Sequence, residues 1–196
     1  MSESPVVHWI EPGKARSARW RSGSGAAPPQ RVVVADDRLS ADKAYHLACE
    51  GTAILWRGNF HNARQLLQAM ARRIDQRQAR KGPRPSKAGP GNKATAPAPV
   101  SPAPAASSSP RDIFNRYRMA QAQRARTLGI LLLPFDAGYG IPLPRAPDVR
   151  EACAEAWGPG NEPCIASLRE LLGLIGAHEW RRKGIEIPAA GARIHP

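Results

Sequence analysis

Apolar residues recur at helical spacing between Asp36 and Arg80. Ala63, Leu66, Leu67, Met70 and Ile74 stand at i, i+3, i+4, i+7 and i+11, which is one stripe on one helix face. Arg64, Arg72, Arg73, Arg77 and Arg80 lie off that stripe. Upstream, Ala41, Ala44, Tyr45, Leu47, Ala48 and Leu55 give a broader apolar face. Ser40 stands where a cap accepts a backbone N–H, and Asp42 puts negative charge in the first turn, where the helix dipole favours it. Gly58-Asn59 breaks the pattern with turn chemistry. Residues 31–81 are therefore expected to form two antiparallel helices, apolar inside and basic outside. Arg31 to Ala35 is β-branched, a strand or an extended lead-in.

The periodicity stops at Gly82 and restarts at Ser109. A capping serine, Pro110 in the first position and Asp112 three residues after the cap mark a helix start. Ile113, Phe114, Tyr117, Ala120 and Gln121 form its expected inward side, with Arg111, Arg116, Arg118, Arg124 and Arg126 on the rest. Ile130 to Leu133 reads as a buried strand, Asp136 to Gly140 as a turn, and Ile141 to Pro144 as an extended stretch that its prolines keep off a sheet interior. Pro147-Asp148 opens another helix with Val149, Ala152, Cys153 and Ala156 on one face, stopped by Gly158-Pro159-Gly160. Ser167 to Glu170 has the spacing of a capping box before Leu168, Leu171, Leu172 and Ile175. Arg181 to Lys183 and Gly184 end that helix, and Ile185 to Pro188 is extended.

Two stretches lack periodicity. Residues 1–30 carry Pro, Gly, Ser and Arg, and are expected to be a disordered basic tail, with Val6, Val7, Trp9 and Ile10 as a weak strand signal. Residues 82–110 are rich in Pro, Ala and Ser, with Val100 the only large apolar residue, and cannot offset the entropy of ordering. The expected organisation is a tail over 1–30, a helical hairpin over 31–81, a disordered linker over 82–110, an α+β part over 111–184 packing on the hairpin, and an extended lead-out over 185–196. The fold class is mostly α with a small β element.

Charge narrows the function more than composition does. A formal net charge of +13 in 196 residues favours polyanions: nucleic acid, ribosomes or acidic protein surfaces. Three cysteines, Cys49, Cys153 and Cys164, form no C-x-x-C and no even set, which argues against disulfides and zinc knuckles. No signal-peptide core is present, and Leu128 to Leu133 is far too short to cross a bilayer. A cytoplasmic protein with no membrane partner is expected.

Candidate chemistry is sparse. Asp136-Ala-Gly-Tyr-Gly140 follows an apolar run as a cofactor loop would, but Pro134, Pro142 and Pro144 break the strand and forbid the helix that should follow. His178-Glu179 lacks the second histidine of H-E-x-x-H, because Arg182 stands there. His61 has no carboxylate or thiol partner in sequence, and His195 lies at the end of the sequence. No nucleophile–base or two-carboxylate arrangement emerges, so no catalytic, cofactor or metal residue is assigned. The arginines remain. Arg64, Arg72, Arg73, Arg77, Arg116 and Arg124 are the chosen nucleic-acid contacts, since guanidinium groups bind phosphate bidentately, and Phe114, Tyr117 and Trp180 could stack on bases.

Three blocks carry a resemblance: DDRLSADKAYHLACEGTAILWRGNFHNARQLLQAMARRID, LGILLLPFDAGYGIPLPRAPDVREAC and SLRELLGLIGAHEWRRKGIEIPAAGARIHP. Together they resemble the N-terminal region of bacterial class I S-adenosylmethionine-dependent methyltransferases carrying a "methyltransferase small" domain. The resemblance implies a substrate-recognising part, with RNA or a ribosome-associated protein as methyl acceptor. It also implies that the acidic-Gly-x-Gly-x-Gly loop and the Asn-Pro-Pro-Tyr-type motif belong to a domain following residue 196. This chain then reads as truncated before its catalytic domain, with S-adenosylmethionine serving the full-length family and none expected on this chain alone. The alternatives are a free-standing basic RNA-binding or adaptor protein and a non-functional gene fragment.

Overall fold

Strand alternation, more than helical periodicity, organises the molecule. The structure, a computed structural model, describes residues 5–81, 109–187 and 191–194. Its centre is a six-stranded mixed sheet of β1 (Val6–Glu11), β2 (Lys14–Arg21), β3 (Arg31–Ala35), β4 (Thr52–Trp56), β5 (Leu131–Phe135) and β6 (Cys164–Ser167). The spatial order is β1-β2-β6-β5-β4-β3. Strands β3, β4 and β5 are parallel, β6 is antiparallel to β5 and parallel to β2, and β2 is antiparallel to β1. Helices α1 (Ala41–Cys49), α2 (Phe60–Lys81), α3 (Pro110–Gly129), α4 (Arg150–Trp157) and α5 (Leu168–Lys183) connect them. A separate ribbon of β7 (Ile185–Ile187) and β8 (Ala192–Ile194) follows α5.

The sheet has two buried faces because successive side chains alternate. Ile54, Trp56, Leu131, Leu133, Phe135 and Ala166 face the helices and pack on Ala44, Leu67, Met70, Leu128, Cys153 and Leu171, so all five helices share one outer layer. Ala53, Leu55, Leu132 and Ile165 face the other way. Among the described residues no helix covers them. The sheet curls until β1 lies alongside β3, and Val7, Trp20, Trp9, Ala18, Val32 and Val34 complete this inner core. The result is a nearly closed barrel with helices outside.

Three contacts hold the closure. Trp20 pairs with Ile165 across β2 and β6. Its indole donates to the Ala26 carbonyl at 2.7 Å. Glu11, at the end of β1, accepts from Arg57 Nε at 2.8 Å and Nη2 at 2.6 Å, and from Trp9 Nε1 at 3.0 Å. Arg57 directly follows β4, so this pair bridges the gap at the barrel seam.

This architecture overturns the expectation of a mostly α fold with a small β element. Residues 31–81 form a β-α-β-α unit and not a helical hairpin. Thr52–Trp56 is buried throughout, and a strand covered on both faces shows a continuous apolar run that carries no period. The expected disordered tail contains β1 and β2. Along β2, Ala18 and Trp20 point inward while Arg19 and Arg21 point out, and the arginines made that alternation look like basic filler. Pro12 followed by Gly13 at φ +69° turns the hairpin, the residue order of a type II turn.

Two helix caps match expectation. Ser40 accepts from Lys43 N, and Ser109 and Asp112 cap each other's backbone N–H. The third does not. Ser167 starts α5 but makes no capping bond, because Glu170 turns to the loop after β2 instead. Ile113, Phe114 and Tyr117, expected to face inward, are 57%, 58% and 62% exposed. Only Thr127 and Leu128 of α3 are buried, so its N-terminal half stands clear of the sheet. The linker expected over 82–110 lies outside the described residues, apart from the cap at Ser109 and Pro110.

Replacing Trp20 by Ala removes the largest wedge of the inner core, and should cost about 3–5 kcal/mol in urea unfolding. A truly disordered tail would give no change. Arg57 donating to Glu11 holds its carboxyl below the usual range. A lowered folded pKa contributes stability above the unfolded value of about 4.3 and loses it as pH falls through the folded value. The melting-temperature gap between the native chain and Glu11→Gln should therefore be present at pH 7 and shrink below about pH 4.

Candidate functional site

At the carboxyl ends of the parallel strands, where open α/β sheets usually hold ligands, the loops bond to one another, and a cavity of about 340 Å³ lies beside them, lined by Asp136, Tyr139, Gly140, Arg145 and Val149. Asp37 accepts from Asn59 N at 3.0 Å and from Asn62 Nδ2 at 3.0 Å. Phe60 N donates to the Pro144 carbonyl. The Asp136 to Gly140 turn is held by internal bonds. Asp136 N donates to the Gly140 carbonyl and Gly138 N to the Gly160 carbonyl, both at 2.7 Å. Tyr139, at φ +65°, is buried against Trp157 and donates its hydroxyl to the Gly158 carbonyl at 2.9 Å. Gly160 lies so close to the Tyr139 ring that a Cβ there would collide with it. The backbone N–H groups of Asp136, Gly138 and Tyr139 are thus bonded within the protein.

His178 and His61 have partners within the protein. His178 Nδ1 is 2.8 Å from Glu155 Oε2, linking α5 to α4, and this contact with the Arg181 charge lowers the Glu155 pKa. Glu179 pairs with Lys183 one turn on. His61 contacts Gln65 at 3.0 Å at the start of α2. His195 lies outside the described residues. Among the described residues no group of three or more His, Cys, Asp or Glu is placed to hold a metal, and no helix is long and apolar enough to cross a membrane. Burial pushes the Cys153 and Cys164 thiols up to about 12 and about 11, which leaves them inert core residues.

The six chosen arginines divide into two sets. Arg73 forms an ion pair with Asp42, and Arg77 lies over the Tyr45 ring at 4.5 Å, so both fasten α2 to α1. Arg124 donates to both Asp75 oxygens at 3.0 Å and fastens α3 to α2. Arg64, Arg72 and Arg116 are exposed. Arg64 and Arg72 have no partner among the described residues, and Arg116 Nε reaches only the Asp112 carbonyl. Alongside Arg116, the free half of α3 carries Phe114, with Arg118 at 5.9 Å from its ring, and Tyr117. Trp180, the third stacking candidate, is exposed on α5.

A cavity of about 1210 Å³ opens at the opposite end of the barrel, at its mouth. Its floor is the inner core: Trp20, Ala53, Ile130 and Leu132. Its rim comes from the loop after β2, the ends of α1 and α3, and the first turns of α5. Glu170 accepts from Gly23 N and from Ser22 Oγ, which straps that loop across the rim. Ser167 Oγ, Arg21 Nε and Trp157 Nε1 are the buried side-chain polar atoms without a partner among the described residues, and of these residues only Ser167 lines the cavity. Sequence reading missed this site. It needs the closure of the sheet, and the one local signal, Ser167 with Glu170, pointed to a cap.

Comparison with protein-family models, curated proteins and solved structures returns no match for this chain.

Proposed function

We propose that this chain is a recognition module, the substrate-holding part of an S-adenosylmethionine-dependent methyltransferase, and that RNA is held along α2 and the free half of α3. The observation that carries it is the exposed stretch of α3. Phe114 and Tyr117 stand in solvent among Arg111, Arg116 and Arg118, which is the pairing of π faces and guanidinium groups that binds unstacked bases and phosphates. Arg64 and Arg72 extend the charge along α2. A helix that only shielded a core would bury those rings. The methyltransferase part of the reading rests on sequence resemblance, and the methyl donor would be held by a domain other than this one.

A free-standing RNA-binding protein would use the same surface. Joining this chain to a cofactor-binding domain and assaying methyl transfer to RNA separates the two readings.

In a binding titration with single-stranded RNA, affinity should fall with salt, each phosphate contact adding about 0.7 to the logarithmic slope. Replacing Arg64, Arg72 and Arg116 together by Glu should flatten the slope by about 2 and leave the melting temperature unchanged. Phe114→Ala with Tyr117→Ala should cost roughly 1–3 kcal/mol per stacked base at any salt. Unchanged RNA affinity in both variants would remove RNA from this surface and leave an acidic protein as the partner.

A further inference from the structure

The barrel mouth has a chemistry distinct from the RNA surface. Small-molecule sites are concave and mostly apolar with a few placed polar groups, and barrel mouths are a recurrent place for them. A cavity of about 1210 Å³ is large enough for a ligand of several rings or a medium-length chain. Trp20, Ile130 and Leu132 give it an apolar floor. Ser167 shares a sheet face with Ile165 by strand alternation, so its hydroxyl lies on the inner side, 5% exposed and without a partner among the described residues. A buried hydroxyl without a partner is destabilising, and a ligand acceptor or donor would offset that.

Charge at the rim selects the sign of the ligand. Arg126 and Arg169 both line the opening. Arg126 donates to the neutral Gln123 side chain at 2.8 Å, and Arg169 has no partner among the described residues. Glu170 is the carboxylate in the lining, and its oxygens are engaged by Gly23 N and Ser22 Oγ. The first turn of α5 adds backbone N–H groups on the same side.

We propose that the barrel mouth binds a small amphipathic anion, its apolar body against Trp20, Ile130 and Leu132 and its charged group between Arg126, Arg169 and the Ser167 hydroxyl. A carboxylate and a phosphate monoester share this chemistry. The strap of residues 22–26, held by Glu170, forms part of the rim through which the ligand would pass.

The test uses the full chain and two fluorescent probes, the anionic 1-anilinonaphthalene-8-sulfonate and the uncharged N-phenyl-1-naphthylamine. Both should bind saturably at one site per chain. Replacing Arg126 and Arg169 together by Ala should weaken the anionic probe about tenfold and leave the neutral one unchanged. Gly173 also lines the cavity, and a Cβ added there meets no atom within 4 Å, so a larger side chain can leave the helix toward the cavity. Gly173→Trp should therefore fold, as its circular dichroism and melting temperature would show, and should lose both probes without altering charge. Competition by decanoate against phenyl phosphate then tells which head group is preferred. Binding of the anionic probe that survives Gly173→Trp, or that ignores the loss of both arginines, would overturn the proposal.

Discussion

The pairing of β2 with β6 is the constraint on which the rest of the structure depends. Strands β3 to β6 make a four-stranded sheet whose helices all lie on one side, leaving Ala53, Leu55, Leu132 and Ile165 facing water. Exposed apolar faces of that size are unfavourable, and none of the described helices covers this one. Three residue pairs, Arg19 with Cys164, Trp20 with Ile165 and Arg21 with Ala166, fasten the N-terminal hairpin to the free edge of β6. The sheet can then curl until it is nearly closed, which buries the inner core, and the β6 edge is covered by β2. The Glu11–Arg57 pair locks the seam from the other side.

The same closure creates both candidate surfaces. Room inside the barrel ends in a mouth, because the loop leaving β2 must cross to β3 over the inner core. The helices, freed from covering the inner face, crowd the outer one. There α1, α2 and the end of α3 fill the space through Ala44, Leu67, Met70 and Leu128, and the start of α3 overhangs. Its arginines and rings stay in solvent. The charge that gives the chain its high net positive balance is thereby split. Arg73, Arg77 and Arg124 dock helices, whereas Arg64, Arg72 and Arg116 are presented outward.

Much of the helical layer was legible in the sequence, as were the strand at β5 and the β-branched run that forms β3, but β2, β4, β6 and the closure of the sheet were not. The stripe from Ala63 to Ile74 and the caps at Ser40 and Ser109 are local signals, fixed by residues a turn apart. Strand β4 is buried on both faces and so has no period. In β2, arginines on the outer positions mask Ala18 and Trp20 on the inner ones. The partner of β2 lies more than a hundred residues away, at Cys164 to Ala166, and nothing local announces that pairing. The site followed the fold. Ser167 and Glu170 fit a helix-capping pattern, and only the position of the loop after β2 shows that Glu170 serves as its anchor. The exposure of Phe114 and Tyr117 was equally hidden, because helical spacing tells which residues share a face and not whether anything packs on it.

Amide hydrogen exchange of the full chain measures the closure directly. β2 is hydrogen-bonded to β1 on one side and β6 on the other, so the Ala18, Arg19 and Trp20 region should exchange as slowly as Ile54 and Leu132 in the central strands. Exchange of residues 6–21 at the rate of an unfolded chain, with β4 and β5 still protected, would contradict the barrel and the mouth that depends on it.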